Sequence, residues 1–571
     1  MIKRLTGRSA RTWAVLLLLA VAQTAAADPP QAPGAMAPMT GVPTTLAEWA
    51  HGAQHFDGLG AYHRKISTRS HEAQRYFDQG MRFTWAFNHD EATRSFARAA
   101  ELDPACAMCL WGVAFTVGPN YNLPELAPAR ALLAHRTVAA AQARTTHGAT
   151  PVEAALISAL ASRYPTPAAL DPSSVEPVLK AFAAQMSRVA AQFPADDDIQ
   201  VLYAESLMNI NAWKLWTPAG DPAEGTPEIV ALLEKVLARN PQHPGANHYY
   251  VHALEASPHP ERAVAAAERL RGMMPAAGHL EHMPSHIMQR VGRYADSAEA
   301  NRLGAAADRA YLARTQPPDY YAMYVAHNFD FLAFATSMQG RRAETLSAVA
   351  AARAMRSDEL LTAMPSVEWY SSAYYLARVR FADWDGLLAE PRPPASQRML
   401  TGAYLFANAV ALAKRGRTAE SQQRIEELDM LRAGVAPDAI AGLSRATQVL
   451  DVAVAAARGE LALARGERVA GLAELEQAVA AEDGLAYNEP ADWFFPVRHL
   501  LGAAQLEAGL AADAEATFRA DLARHPANGW ALRGLAAALR AEHRDADAAL
   551  VEQQFKAAWK DADVAPESSA L

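Results

Sequence analysis

Several features that mark common classes of protein are scarce or absent in this sequence. Its 571 residues include only two cysteines, so no framework of disulfides holds the fold together. Acidic residues outnumber basic ones by 62 to 53, and the basic residues form no stripe, which argues against nucleic acid and anionic membranes as partners. Strand-like alternation of β-branched residues is nearly absent, and no long apolar run follows the start of the chain. We therefore expect an all-α, water-soluble protein without a membrane span.

Catalytic motifs of the common kinds are also absent. The sequence contains no glycine-rich loop of the kind that cradles phosphate, no serine or cysteine nucleophile motif and no HExxH. These absences argue against a bound nucleotide and against the familiar hydrolases. What the sequence has in abundance is alanine, within a hydrophobic fraction of 51%, and alanine favours helices that pack closely.

The first 27 residues have the layout of a secretory signal peptide. Basic residues at the start are followed by an apolar stretch over 13–21, and small residues end the segment at Ala25, Ala26 and Ala27. The apolar stretch is too short to span a bilayer. We expect cleavage after Ala27 and a mature protein that is periplasmic or secreted. Residues 28–70 then form a leader rich in proline and glycine and a lead-in to the rest of the chain.

A repeating pattern begins near residue 72. Over residues 72–104 the chain places Gly80, Ala92, Phe96 and Pro104 at spacings that suit a pair of antiparallel helices. Gly80 and Ala92 are small, which permits the two helices of the pair to cross. Phe96 fills the gap at the crossing, and Pro104 ends the second helix.

The same offsets return near the C-terminus, at Gly502, Ala514, Phe518 and Pro526, and residues 263–297 keep the same 34-residue register. The pattern resembles that of the tetratricopeptide repeat (TPR) family, W-x2-LG-x2-Y…A-x3-F…P. The match is strong for four or five units and extends in weaker form over roughly residues 70–560. The chain is therefore similar to an exported bacterial member of this family.

The resemblance implies a right-handed α-solenoid of helix pairs, in which the first helix of each pair, the A helix, lines a concave groove. We expect an N-terminal array with a histidine-rich groove over 71–360, a C-terminal array over 361–560 and a polar tail over 561–571. Most TPR proteins are scaffolds that bind peptides or partner proteins. The corresponding expectation is a small molecule, a peptide or a protein partner in the groove.

Histidines stand in register in two consecutive repeats. His248 and His252 are four residues apart, and so are His282 and His286, one repeat of 34 residues later. A spacing of four places both imidazoles of a pair on one face of a helix. Because the A helices of neighbouring repeats lie side by side, we expect the four rings to converge, with His279 one turn before His282.

Acidic residues of the neighbouring repeats fall near these histidines in the same register. We expect Glu205, Glu255 and Asp330 beside them, and His327 as a further imidazole. Histidines with one or two carboxylates suit a divalent transition metal, with zinc, iron, copper and manganese as candidates, and the two pairs can hold two ions. A metal-bound water with Glu205, Glu255 or Asp330 as general base predicts a hydrolase, whereas copper or iron predicts an oxidase.

Two interpretations of the histidines stay open. In the first, a metal binds, and its predicted ligands are His248, His252, His279, His282, His286, His327, Glu205 and Asp330. In the second, no metal binds, and the histidines donate hydrogen bonds to neighbouring helices or to the carboxylate of a ligand. Pro284 lies between His282 and His286 and predicts a kink or a new helix start, which alters the geometry of that pair.

The two cysteines form a CxxC motif just after Pro104. At the start of a helix, Cys106 and Cys109 can have a lowered thiol pKa and carry out redox chemistry, which is a third hypothesis. The alternatives are a local disulfide or two small buried residues at a helix crossing. Leu110 stands where the attachment of c-type haem needs a histidine, so haem is excluded.

An aromatic and acidic segment, YNEPADW at 487–493, precedes the C-terminal repeats. It can close over the groove, although loops of this composition usually only connect helices. In the first repeat, Asn88 and Asp90 lie at the predicted turn between the two helices, where capping of the second helix explains them.

Overall fold

The computed structural model describes residues 43–123, 126–168, 174–315, 317, 321–363, 365–565 and 569–570. These residues belong to one compact unit, Pro38–Leu571. They are overwhelmingly helical, which confirms the all-α prediction. The predicted signal peptide, most of the leader and part of the predicted tail lie outside the described residues.

The helices of the first half run as follows: α1 Leu46–Ala50, α2 His71–Trp85, α3 His89–Leu102, α4 Ala107–Thr116, α5 Pro128–Arg144, α6 Pro151–Ala161, α7 Glu176–Gln192, α8 Asp197–Met208, α9 Thr226–Arg239, α10 Pro244–Leu254, α11 Val264–Leu270, α12 Gly278–His282, α13 Pro284–Arg290 and α14 Tyr294–Leu312. Short 3-10 helices lie at Thr145–His147, Asn209–Asn211 and Pro260–Ala263.

The second half contains α15 Tyr321–Met338, α16 Arg342–Ala354, α17 Asp358–Ala363, α18 Ala373–Arg380, α19 Trp384–Ala389, α20 Arg398–Lys414, α21 Thr418–Ala433, α22 Ala446–Ala464, α23 Arg468–Asp483, α24 Arg498–Glu507, α25 Ala511–Arg524, α26 Gly529–Ala541 and α27 Asp545–Ala558. A 3-10 helix covers Pro365–Ser372, and a small antiparallel hairpin joins β1 Ile440–Ala441 to β2 Ser444–Arg445.

Consecutive helices pack as pairs, and the first clear pair, α2 and α3, follows the predicted design. The ring of Phe96 on α3 packs against Gly80 on α2 and against Gly112 on α4. A Cβ atom built on either glycine would lie 2.6 or 2.4 Å from the ring, so only glycine leaves room for it. Asn88 caps α3, as predicted, by accepting a hydrogen bond from the backbone N–H of Glu91.

The same packing recurs at the C-terminal end of the chain. Phe518 on α25 packs between Gly502 on α24 and Gly534 on α26, where added Cβ atoms would lie 2.4 and 2.3 Å from its ring. Each phenylalanine therefore joins the A helices of two successive repeats. This shared arrangement establishes a TPR-like α-solenoid from packing alone.

Both ends of the solenoid pack back on its middle. At the N-terminal end, the carbonyl oxygen of Trp85, the last residue of α2, lies 2.6 Å from Nδ1 of His248 on α10. At the other end, the indole of Trp530 on α26 donates to the carbonyl of Ser337 on α15, at 2.8 Å. The interior of the middle repeats is therefore covered from both directions.

Buried apolar side chains form two large clusters, one within residues 49–288 and one within residues 294–504. The predicted division of the repeats into arrays at residue 360 stays a prediction. Across the part of the chain that the structure describes, no helix combines the length and the apolar composition needed to cross a membrane.

Candidate metal centre

The first pair of histidines lies on α10. His243 caps this helix, because its Nδ1 accepts a hydrogen bond of 3.1 Å from the backbone N–H of Ala246. Pro244 is the first residue of the helix, a position at which a backbone N–H would have no acceptor within the helix. His248 and His252 then face the same side, with ring centroids 4.9 Å apart. The spacing of four residues does place both rings on one helix face.

The second pair spans a break between two short helices. α12 ends at His282, Met283 follows, and Pro284 is the first residue of α13. The predicted helix start at Pro284 is confirmed, because proline fits the first turn of a helix but not its interior. The break does not separate the rings, since the Nε2 atoms of His282 and His286 lie 2.9 Å apart.

Two further histidines complete the cluster. His279 is on α12, and its Nε2 lies 3.2 Å from Nε2 of His248. His327 is on α15, and its ring centroid lies 4.9 Å from that of His282 and 5.6 Å from that of His286. The two consecutive repeats and the next A helix thus bring six imidazoles together.

The imidazoles form two groups of three. The first triad is His248, His252 and His279, and the second triad is His282, His286 and His327. Within each triad, one ring nitrogen from every histidine lies within 4.8 Å of the others. A third group of the same kind joins His286 to Glu255 and Glu489. Every member of these groups is buried except His327, which is half-buried.

Hydrogen bonds orient the two rings of α10. Nδ1 of His248 lies 2.6 Å from the carbonyl oxygen of Trp85, and Nδ1 of His252 lies 3.1 Å from Oε1 of Glu255. Both oxygens act as acceptors, so each Nδ1 carries the proton of its ring. In a ring that carries a proton only on Nδ1, Nε2 is an electron-pair donor. That of His252 is buried and has no hydrogen-bond partner in the described structure.

The second pair is oriented in the same way. Nδ1 of His282 lies 2.6 Å from Oδ1 of Asn301, whose amide is held in this orientation because its Nδ2 donates to the carbonyl of Ser297. Nδ1 of His286 donates to Oε2 of Glu489, at 2.6 Å. Both rings therefore carry a proton on Nδ1 and turn Nε2 toward the interior of the cluster.

This arrangement brings Nε2 atoms face to face. The Nε2 of His248 meets that of His279, and the Nε2 of His282 meets that of His286, whose raised pKa places a proton in the second contact. Two Nε2 atoms that share a tetrahedral ion, each about 2.0–2.1 Å from it, lie about 3.3–3.4 Å apart. The His248–His279 distance of 3.2 Å is close to that value, whereas the His282–His286 distance of 2.9 Å is that of a hydrogen bond and must lengthen to admit an ion. Each contact needs either a proton or a cation between the two nitrogens. The partners on Nδ1 are contacts of the kind by which metal-binding histidines are held in one tautomer and orientation.

Burial, followed by the charges of neighbouring histidines, lowers the pKa of four cluster rings well below the ordinary value. These four are His248, His279, His282 and His327. They are therefore neutral, which is the form of imidazole that binds metals. His286 differs: burial lowers its pKa, but the adjacent carboxylates of Glu255 and Glu489 outweigh burial and raise it to about 9.

The carboxylates of Glu255 and Glu489 lie on the outer side of the rings. Oε1 of Glu255 accepts from Nδ1 of His252, whereas its Oε2 makes an ion-pair contact of 2.9 Å with Nδ1 of His286 that lacks hydrogen-bond geometry. Burial raises the pKa of Glu255, but His252 and His286 outweigh it and lower this pKa to about 2. Both carboxylates thus face Nδ1 atoms and not the converging Nε2 atoms.

Glu489 reaches the cluster from the loop at residues 487–493. Tyr487 donates to the Glu489 carboxylate and, at 2.9 Å, to the backbone carbonyl of Glu255, and the guanidinium of Arg290 lies over its ring. This loop does more than connect helices, because it supplies a carboxylate to the site. Sequence reasoning missed Glu489, which lies 203 residues from His286. Only the acidic and aromatic composition of the loop pointed to it.

Aromatic side chains enclose the cluster. Phe87 stacks on His252 and His279, with an angle of 21° between the ring planes in both cases, and Phe331 lies 4.4 Å from His286 between ring centroids. Five of the six histidines are buried, which the expectation of a histidine-rich concave groove did not include. The turn after α2 and the loop at residues 487–493 cover them, because both ends of the solenoid pack back on its middle.

Two of the predicted acidic residues have other partners. Glu205 accepts from the side-chain amide of Asn209, at 2.6 Å, and Asp330 pairs with Arg356. Neither belongs to the groups of ligand atoms described above. Both had been expected as ligands and as general bases because the 34-residue register places them in the repeats before and after the histidine-bearing ones. In those neighbouring repeats the register is less regular.

Cys106 and Cys109 form a disulfide, one of the alternatives expected for the CxxC motif. Cys106 also caps α4 by accepting from the backbone N–H of Cys109, and both residues are buried. In this form neither sulfur is a thiolate. Within the described part of the chain, the groups of converging ligand atoms consist of imidazole nitrogens and carboxylate oxygens.

Comparison with known proteins shows likeness only at the level of helical repeats. No family model matches the sequence, and no curated protein matches it. Similar solved structures include the human IFIT1 dimer with m7Gppp-AAAA, which has 10% identity over 79% of this chain and 90% of that chain and a TM-score of 0.32. The Cut9–Hcn1 hetero-tetramer of the APC/C has 10% identity over 85% of this chain and 90% of that chain and a TM-score of 0.29. The TPR domain of P58(IPK) has 11% identity, coverages of 83% and 98%, and a TM-score of 0.20. At such scores no argument rests on the likeness.

Proposed function

We propose that this protein is an exported α-solenoid whose buried histidine cluster binds a divalent transition metal. The observation that carries the proposal is the common orientation of four imidazoles. His248, His252, His282 and His286 each direct Nδ1 to an oxygen at the edge of the cluster and turn Nε2 toward the other rings. Rings that served only for packing would have no reason to share this one-sided arrangement.

The donor atoms narrow the choice of ion. Imidazole nitrogens suit zinc, copper and iron, whereas manganese prefers oxygen ligands. Cys106 and Cys109 are bonded to each other, so a purely structural thiolate site for zinc is not supported. Copper, iron and zinc are therefore the candidates that the cluster suits best.

The positions of the carboxylates favour oxidation over hydrolysis. A carboxylate that serves as general base in metal-assisted hydrolysis must lie within hydrogen-bond reach of the bound water. Glu255 and Glu489 face the Nδ1 side of the rings, and Glu205 and Asp330 are engaged elsewhere. We therefore favour a redox-active ion, copper or iron, over hydrolytic zinc. A peptide or protein partner, the alternative function, stays a prediction that the enclosed cluster does not favour.

The test is metal analysis of the mature chain, from residue 28 onward, purified without an affinity tag. A His252→Ala/His286→Ala variant removes one histidine from each triad. A His147→Ala/His259→Ala variant is the matched control, because both of its histidines are exposed. Circular dichroism and thermal unfolding check that each variant is folded. If the alanine variant does not fold, His252→Gln/His286→Gln takes its place.

We expect near-stoichiometric transition metal in the wild type and in the control, and its loss from the cluster variant. A wild type that is free of metal, and that also fails to bind added zinc, copper, iron and manganese, would contradict the proposal. Equal metal content in all three proteins would contradict it as well, because the metal would then be bound elsewhere.

A further inference from the structure

We infer that the histidine cluster holds two ions, one in each triad, and that a small anion shared by both ions completes their coordination. This inference rests on the proposed function and extends it to the number of ions and to the class of their ligand. The two triads have no histidine in common, and each contains one close pair of Nε2 atoms, at 3.2 Å in the first and 2.9 Å in the second.

One ion cannot use all six rings. Transition metals with imidazole ligands are usually bound by three or four protein groups, each about 2.0–2.1 Å away in the case of zinc. Each triad therefore suffices for one ion. Three protein ligands leave the fourth position of a tetrahedral site open, which is the arrangement of catalytic sites and not of closed structural ones.

The two triads are immediate neighbours. Ring centroids of the first triad lie close to those of the second, at 5.7 Å between His252 and His286 and 5.9 Å between His279 and His282. Two ions held by adjacent triads are therefore near each other. A ligand of one to three atoms can occupy the open positions of both.

Charge indicates that this ligand is an anion. Two divalent ions bring four positive charges, whereas Glu255 and Glu489 bring two negative ones to the same buried region. Buried charge that lacks compensation is strongly unfavourable, so a negatively charged ligand between the ions reduces the excess.

Access limits the size of the ligand. A small depression lined by Phe87, Asn88, Gly278, His279 and Tyr324 borders the first triad at His279. His279 is 7% exposed, whereas His248 and His252 are 0% and 1% exposed, so His279 is the ring of this triad nearest to solvent. Because the other two rings of this triad are almost fully buried, we expect the ligand to be a small anion such as hydroxide, peroxide or azide and not a peptide.

The experiment loads the metal-free mature chain with Cu²⁺, removes weakly bound copper with glycine, and measures copper per chain. Azide is then titrated, and its charge-transfer absorption gives the number of azide ions bound. The variants His279→Ala and His327→Ala each remove one ligand from one triad. His259→Ala, at an exposed histidine, is the control. Thermal unfolding verifies the fold, and His→Gln replaces any alanine variant that does not fold.

We expect two copper ions per wild-type and control chain, one azide per two copper ions, and one copper ion in each triad variant. One copper ion per wild-type chain would overturn this inference and leave the proposed function standing. No copper in the wild type would overturn this inference, and it would overturn the proposed function as well if zinc, iron and manganese also fail to bind. Two azide ions per copper pair, or loss of both copper ions from each variant, would show that the ions share no ligand or do not occupy separate sites.

Discussion

The last repeats and the histidine-bearing repeats use the same helix-pair geometry with different interiors. In α24–α26 the ring of Phe518 fills the space between Gly502 and Gly534. In α10–α13 the interior contains imidazoles, and Nε2 of His252 has no partner within the described structure. A buried polar group without a hydrogen bond costs about 1–3 kcal/mol. The difference teaches that an apolar ring fills the helix crossings of the last repeats, whereas the middle repeats hold converging imidazoles that need a proton or a cation among them.

The largest expected effect concerns the apolar packing of the last repeats. Phe518→Ala removes the ring between two helix crossings, and we expect the free energy of unfolding to fall by about 3–5 kcal/mol. Urea unfolding followed by circular dichroism measures it. Metal content should not change, because α25 does not contribute to the cluster. Leu550→Ala is the control: its side chain is 61% exposed, and we expect a change within about 0.5 kcal/mol. Similar losses in both variants would contradict the packing described here.

The next-largest expected effect is the stabilisation of the histidine-bearing repeats by bound metal. A bound metal at about 100 times its dissociation constant stabilises the folded chain by about 2.7 kcal/mol. We expect this gain to be local, because the ligands lie on α10, α12, α13 and α15. Hydrogen exchange measured by mass spectrometry should slow in these helices on metal addition and stay the same in α25–α27. Uniform slowing along the whole chain would contradict the comparison.

A smaller effect is expected from the outer carboxylate. Glu489→Gln keeps an acceptor for Nδ1 of His286 but removes the negative charge, and we expect metal affinity to fall by about 10–100-fold. Competition with a chelator of known affinity measures this change. Glu261→Gln, at a glutamate whose side chain is 61% exposed, is the matched control and should bind as the wild type does. Unchanged affinity in Glu489→Gln would show that Glu489 does not orient His286.

A separate effect is a dependence on pH that arises outside the cluster. Asp308 is buried, and burial raises its pKa to about 7 even though Tyr321 and Asn328 donate hydrogen bonds to it. The folded chain keeps a proton here that the unfolded chain releases near pH 3.8, so the folded state binds more protons between these values. Stability therefore falls as the pH rises from about 4 to about 7 and then no further.

Asp308→Asn removes this contribution, because asparagine does not titrate. Between about pH 4 and about pH 7 the free energy of unfolding of the wild type should fall relative to that of the variant, and above about pH 7 the two curves should run parallel. Parallel curves over the whole range would contradict the pKa assigned to Asp308.

The sequence was sufficient to predict the convergence of the histidines. His248, His252, His282 and His286 occupy equivalent positions of consecutive repeats, and stacked repeats keep equivalent positions adjacent. Pro284 was also informative, because proline restricts the helix to a start at that point. Register alone was therefore enough to bring these imidazoles together from sequence.

Features that depend on contacts between distant repeats could not be predicted. Glu489 joins His286 across 203 residues, and the carbonyl of Trp85 joins His248 across 163. A repeat register carries information about neighbouring units only, so it reveals neither the return of both chain ends to the middle nor the burial of the cluster. Glu205 was predicted from the same register but accepts from Asn209 instead, because the neighbouring repeats are less regular.

The most direct test of the metal centre is X-ray absorption spectroscopy of the metal-loaded mature chain. We expect a first shell of nitrogen or oxygen atoms at about 2.0–2.1 Å, with the outer-shell scattering of about three imidazoles per ion and no sulfur. A sulfur shell at about 2.3 Å, or a shell of oxygen atoms without imidazole scattering, would contradict the assignment of the histidine cluster as the metal centre.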